Sequence, residues 1–108
     1  MDGLEIVEKE LETYFYVKVI GKITSFTHTK LQDRIFLHLQ KKAVCLDFSE
    51  VTALASAGIG LLMGATKISM KFETKIYILN PSTQIIDSFE FTGIQNILNV
   101  IYDENEIE

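Results

Sequence analysis

Residues Ala43 to Phe48 read AVCLDF, a short and almost continuous apolar run. Its length suits a strand better than a buried helix, and a strand this apolar is covered on both faces. It must therefore lie inside a layered structure. Directly after it, residues 52 to 65 read TALASAGIGLLMGA, a helical pattern laced with Gly58, Gly60 and Gly64. A glycine in a helix interior costs about 1 kcal/mol relative to alanine. Something comes close to this backbone.

The remaining periodicities supply the layers. Leu4 and Ile6 alternate with polar neighbours, and Tyr14, Tyr16, Lys18 and Ile20 alternate with Phe15, Val17 and Val19. Two strands joined by a tight connection at Leu11 to Thr13 follow, the second ended by Gly21. Leu31, Ile35, Phe36 and Leu39 predict an amphipathic helix from about Thr27 to Lys41, with Ser25 or Thr27 as its N-cap. After the central strand, Ser49-Glu50-Val51-Thr52 reads as a polar turn, leading to a helix from about Ala57 to Lys71. Lys75 to Leu79 reads as a strand. Asn80-Pro81-Ser82 then starts a helix, with Pro81 near its first turn, Ile85, Ile86 and Phe89 on one face and Gly93 at its end. Ile97 to Ile101 is a final strand or a last helical turn, and Asp103, Glu104, Glu106 and Glu108 make a solvated acidic tail. The expectation is a single α/β domain over residues 1–108. Its mixed central sheet has an opening antiparallel hairpin, then parallel strands, with helices packed against it.

Composition narrows the function. The chain has 108 residues, 47% hydrophobic and 23% charged, enough for one folded core. A formal net charge of -5 with scattered Lys and Arg argues against nucleic acid. No apolar run approaches the roughly 20 residues needed to span a bilayer, and the acidic start MDGLEIVEKE lacks a signal-peptide core. A cytoplasmic location without membrane attachment is expected. Cys45, the single cysteine, reads as a buried structural thiol.

The catalytic patterns fail one by one. Leu54 stands where a nucleophile elbow needs glycine, and neither His28 nor His38 has a relay partner for a hydrolase. The spacing of Gly58, Gly60 and Gly64 is wrong for a dinucleotide loop. His28 and His38 have no Cys or carboxylate cluster and read as surface residues, not metal ligands. Asp47 reads as an acid bonding the turn that follows it. No enzyme activity, metal or cofactor is expected.

On a helical wheel, Leu61, Leu62, Ala65, Ile68 and Phe72 form the core face of the glycine-laced helix. Ile59, Met63, Thr66 and Met70 line a second stripe, which is either an adaptable binding surface or is covered by the first helix or the chain ends. Ser56, where the turn enters the helix, can cap free N–H groups. The same position also tolerates a phosphate, which helix N-termini favour.

Taken together, VCLDFSEVTALASAGIGLLMGA and NPSTQIIDSFEFTGIQNILNVIYD resemble the STAS domains of bacterial anti-sigma factor antagonists. The first matches an apolar strand ending in Asp, then an Asp-Ser-(Ser or Ala)-Gly-Leu-Gly segment and an apolar helix. The second matches a closing Asn-Pro, a helix, Thr-Gly-(Leu or Ile) and a last strand. The resemblance implies a binding switch with no active site of its own. Its partner would be an anti-sigma factor that is also a serine kinase and holds the ATP, with a serine phosphatase to reverse the modification. It implies Ser56 as the phosphorylated residue, and docking over Ala55, Ser56, Ala57, Gly58, Ile59, Gly60 and Met63. Where the family has Asp before the serine, this chain has Ala55. The alternative is a non-switched scaffold or small-ligand module in which Ser56 is only a cap.

Overall fold

A computed structural model describes residues 3–107. The strands are β1 (Glu5–Glu10), β2 (Tyr14–Ile23), β3 (Ala43–Leu54), β4 (Ile76–Leu79) and β5 (Asn99–Ile101), and the helices are α1 (His28–Leu39), α2 (Ser56–Lys71) and α3 (Thr83–Thr92). One sheet runs in the order β1-β2-β3-β4-β5, antiparallel at β1/β2 and parallel from there on. This is the expected mixed sheet. Each parallel crossover steps the same way along the sheet, and such crossovers are right-handed, so α1, α2 and α3 all fall on one face.

The strand period of two then divides the core. Phe15, Val17 and Val19 of β2, Val44, Leu46 and Phe48 of β3, and Ile76 and Ile78 of β4 turn toward the helices. They meet Leu31, Ile35 and Leu39 of α1, Leu61, Leu62 and Ala65 of α2, and Ile85 and Phe89 of α3. The intervening residues Cys45, Tyr77, Leu79 and Ile101 make a smaller cluster on the other face, with Tyr14, Tyr16, Ala43 and Ile107 packed on it. No helix lies there among the described residues. Instead a short 3-10 turn, Glu104–Glu106, follows β5, closed by reciprocal bonds between Asp103 and Glu106. The Tyr14 hydroxyl donates to the Glu104 carboxylate, which ties this turn to β2. The acidic tail is exposed at Asp103, Glu104 and Glu106, as its composition suggests, yet it is folded onto the sheet; Glu108 lies outside the described residues.

Two local expectations change. Gly21 does not end β2; with φ 111 it bends the strand, which continues to Ile23. Ser49 to Thr52 is no turn either, because β3 runs on to Leu54 along β2 alone. Two register shifts in that pairing each place one extra residue on β3, and Val51 still points inward at 3% exposure. Pro81 does lie near the first turn of α3, just before the N-cap Ser82, whose hydroxyl accepts from the Ile85 amide at 3.3 Å. Gly93 does end α3 in the left-handed region. Thr27 holds the N-cap position of α1, but its hydroxyl donates to the Lys22 carbonyl at 2.9 Å and caps no helix amide.

The glycines of α2 have separate reasons. A Cβ on Gly58 would lie 2.3 Å from Leu54 Cδ1 and 2.9 Å from Ile23 Cγ2, and one on Gly64 would lie 2.9 Å from Phe36 Cζ of α1. A Cβ on Gly60 would meet nothing within 4 Å. Gly58→Ala should therefore cost about 1–3 kcal/mol through overpacking, while Gly60→Ala should hold or raise stability by up to about 1 kcal/mol. Thermal unfolding reads the difference, at about 4–8 °C per kcal/mol for a domain near this size. Equal melting temperatures for the two variants would contradict this packing.

Candidate functional site

The site begins where β3 hands over to α2. The Ala55 amide donates to the Ile23 carbonyl at 2.9 Å, which fixes the end of β3 to the end of β2. Ala55, in extended conformation, is the N-cap of α2 and has no side chain with which to cap it. Ser56 is consequently the first helical residue and not the cap. Its side chain is exposed, and its hydroxyl makes no hydrogen bond with any described residue. The first-turn amides of α2 have no acidic residue near them in sequence and no side-chain acceptor.

The other expected docking residues separate into two groups. Ala55, Ser56, Gly60 and Met63 are exposed, Ala57 and Ile59 are half-buried, and Gly58 is buried against Leu54 and Ile23. Gly58 thus serves the interior of this chain. Gly64, likewise, lets α1 approach through Phe36. The second stripe is open at Met63 and Met70, 46% and 73% exposed, while Ile59 and Thr66 are half-buried. Phe72, expected in the core, is the C-cap of α2 and sits at the rim, 40% exposed.

Ser56 opens onto a groove of about 530 Å³ between α2 and α3, lined by Leu54, Ser56, Ile59, Gln84, Asp87, Ser88, Phe91 and Thr92. The α3 side of this groove was missed in the sequence. Its signal was present: Gln84, Asp87, Ser88 and Phe91 recur at helical spacing on the face opposite Ile85 and Phe89, and Phe91 is 93% exposed. The hydroxyls of Ser88 and Thr92 are turned back onto carbonyls of their own helix, at 3.3 and 3.0 Å. The Asp87 carboxylate has no hydrogen bond or ion pair with any described residue. Free polar atoms in the groove are therefore the Ser56 hydroxyl, the Gln84 amide and the Asp87 carboxylate.

Asp47, Cys45 and His38 lie elsewhere. Asp47 is buried on the second face of the sheet, where its carboxylate accepts from the Tyr16 hydroxyl and from the Ser49 amide, the latter at 2.9 Å. Burial opposes its charge, but the bonds from Tyr16 and Ser49, with the Lys18 charge, outweigh it and hold the carboxyl below the usual Asp range. Asp47 does bond the backbone after it, as expected, though within a bulged strand. Burial, aided by Glu104 and Asp47, pushes the Cys45 thiol up to about 12, consistent with a structural thiol. His38 is no surface residue. At 8% exposure it stacks on Phe15, ring centroids 4.0 Å apart, and its Nε2 donates to Glu8 at 2.7 Å. Arg34 grips the same Glu8 carboxylate with two bonds, at 2.6 and 2.8 Å, which holds the Glu8 carboxyl low against the effect of burial. No group of three metal-ligating side chains is gathered among the described residues. Nor is any helix among them long and apolar enough to cross a membrane.

Several known proteins resemble this chain in sequence or in fold. The STAS domain family profile matches residues 5–107. The chain is 26% identical to the anti-sigma-B factor antagonist of Listeria monocytogenes over 97% of its own length and 93% of the relative's. A crystal structure of an anti-sigma factor antagonist from Mycobacterium paratuberculosis superposes with a TM-score of 0.85 at 20% identity, covering 97% of this chain and 91% of that one. The Bacillus protein SpoIIAA superposes in its unphosphorylated form with a TM-score of 0.80, at 16% identity over 95% of this chain and 93% of that one. In its phosphorylated form the TM-score is 0.73, at 16% identity over 95% and 96%.

Asp47 gives this region a pH signature. Asp47→Asn should lose about 1–3 kcal/mol at neutral pH, the cost of weakening buried hydrogen bonds to a charged acceptor. Because the folded pKa lies below the unfolded one, that contribution is present above about pH 5 and fades as pH falls through the folded value. Urea titrations from pH 7 to pH 3 should show the parent converging on the variant. Two parallel stability curves would refute this.

Proposed function

The chain belongs to the STAS domain family, and from that membership we propose that it works as an anti-sigma factor antagonist switched by phosphorylation of Ser56. Its partner is an anti-sigma factor that doubles as a serine kinase and supplies the ATP, and a serine phosphatase resets it. The chain itself performs no catalysis and acts in the cytoplasm.

One observation carries the reading. The Ser56 hydroxyl is exposed, unbonded and placed at the first turn of α2, with Ala55 beside it and the open Gly60 one turn on. Another protein's active-site loop can reach it without displacing any side chain of this chain. A phosphate there adds about -1.5 to -2 charges. An unpaired phosphate in an interface costs several kcal/mol, and about 1.4 kcal/mol already lowers affinity tenfold. The antagonist names of the relatives and the two forms of SpoIIAA support the same assignment.

The exposed Met63 and Met70 favour a second reading, a scaffold whose α2 stripe binds constitutively. The two part on Ser56. Incubation with ATP and the cognate anti-sigma factor kinase should add one phosphate, located at Ser56 by mass spectrometry. Ser56→Ala should abolish it and leave binding intact, Ser56→Asp should weaken binding at least tenfold, and Ala55→Asp should speed modification. Modification elsewhere, or binding indifferent to Ser56→Asp, would defeat the switch and leave the scaffold.

A further inference from the structure

The second face of the sheet is closed by something other than a helix. Cys45, Tyr77, Leu79 and Ile101 are all buried there, and among the described residues their cover is Tyr14, Tyr16, Ala43 and Ile107. Ile107 reaches this cluster at the end of a segment that leaves the sheet early. The Asn80 amide donates to the Ile101 carbonyl at 2.9 Å, and past that bond no backbone hydrogen bond among the described residues joins residues 102–107 to a strand. The segment is nevertheless ordered within itself. The Glu106 carboxylate accepts from the Tyr102 and Asp103 amides at 3.0 and 3.1 Å, and that of Asp103 accepts from the Asn105 amide at 2.8 Å. What holds it to the sheet, among the described residues, is the bond from the Tyr14 hydroxyl to Glu104 and the packing of Ile107. Beside it lies a crevice of about 380 Å³ whose lining includes Tyr77, Asn99, Ile101 and Glu106, so the segment does not sit flush along β5. Burial first, and then the Glu104 charge, push the Cys45 thiol up to about 12. The same segment therefore covers that thiol and suppresses its ionisation.

We propose that residues 102–107 form a strap that swings off the second face of the sheet as one unit while the rest of the domain stays folded, with the Tyr14–Glu104 bond and Ile107 as its latch. A segment bonded mainly to itself, with few ties to its neighbours, opens well below the free energy of global unfolding. The strap is independent of the reading given to Ser56, which stands at the start of α2 on the helix-covered side.

Cys45 reports the opening. A thiol reacts as its thiolate and only where a reagent can reach it, and a swung strap lifts both restraints. Alkylation of the full chain by iodoacetamide under native conditions, followed by mass spectrometry, gives the rate. Tyr14→Phe keeps the ring and removes the hydroxyl, and should raise that rate at least about fivefold, the scale of one lost hydrogen bond to a carboxylate. Ile107→Ala should do the same by loosening the packed end. Ile35→Val, which weakens the core from α1 on the other face, should leave the rate unchanged. In low urea the parent rate should stay nearly flat, since a strap exposes little surface, whereas reaction through global unfolding climbs with the full slope of the unfolding curve. Equal rates in the parent, Tyr14→Phe and Ile107→Ala would overturn the proposal. So would rates that follow global stability in every variant, Ile35→Val included, because Cys45 would then be reached only when the whole domain unfolds.

Discussion

The first turn of α2 is fastened to the ends of two strands. The Ala55 amide bonds the Ile23 carbonyl at 2.9 Å, and Gly58 lies so close to Leu54 and Ile23 that any larger residue must displace them. These two contacts set the direction in which α2 leaves the sheet, and hence the face that meets Phe36 of α1 and the end that faces α3. Ser56 sits between the two contacts in sequence. Its position is a by-product of core packing, which needs no part of the hydroxyl itself.

Much of this was legible beforehand because it depends on period. The alternation in β2, the apolar run that starts β3 and the helical spacing of Leu31, Ile35 and Leu39 each state which face is buried. Gly93 at the end of α3 was legible too, since a glycine after the last apolar position of a helix has few other uses. Ser56 stood out by its setting among Ala55, Ala57 and Gly58. That setting pointed to the right region for an exposed hydroxyl.

What was not legible depends on neighbours distant in sequence. Gly58, Gly60 and Gly64 look alike in the chain, yet one is pressed on its own strand end, one faces open space and one receives Phe36. Ser49 to Thr52 has a turn's composition, but a bulged strand paired on one side only can carry polar residues outward while Val51 alone points in. His38 looked solvated because its partners Glu8 and Phe15 come from the hairpin, some thirty residues away at Glu8. The α3 wall of the groove was overlooked for a related reason: attention to Ile85 and Phe89 defines the buried face and leaves Asp87 and Phe91 as ordinary surface until α2 is seen opposite them.

The unbroken course of β3 into α2 has one more consequence. Enzymes that modify proteins commonly act on slack segments, which bend into the catalytic cleft. Ser56 has no slack, since the strand before it is pinned through Ala55 and the helix after it starts at once. Any enzyme acting on it must bring the pliable parts itself and mould them around a stiff pedestal. Recognition would then read the shape of the folded domain, and a short peptide copied from residues 52 to 65 would be a poor substitute for it.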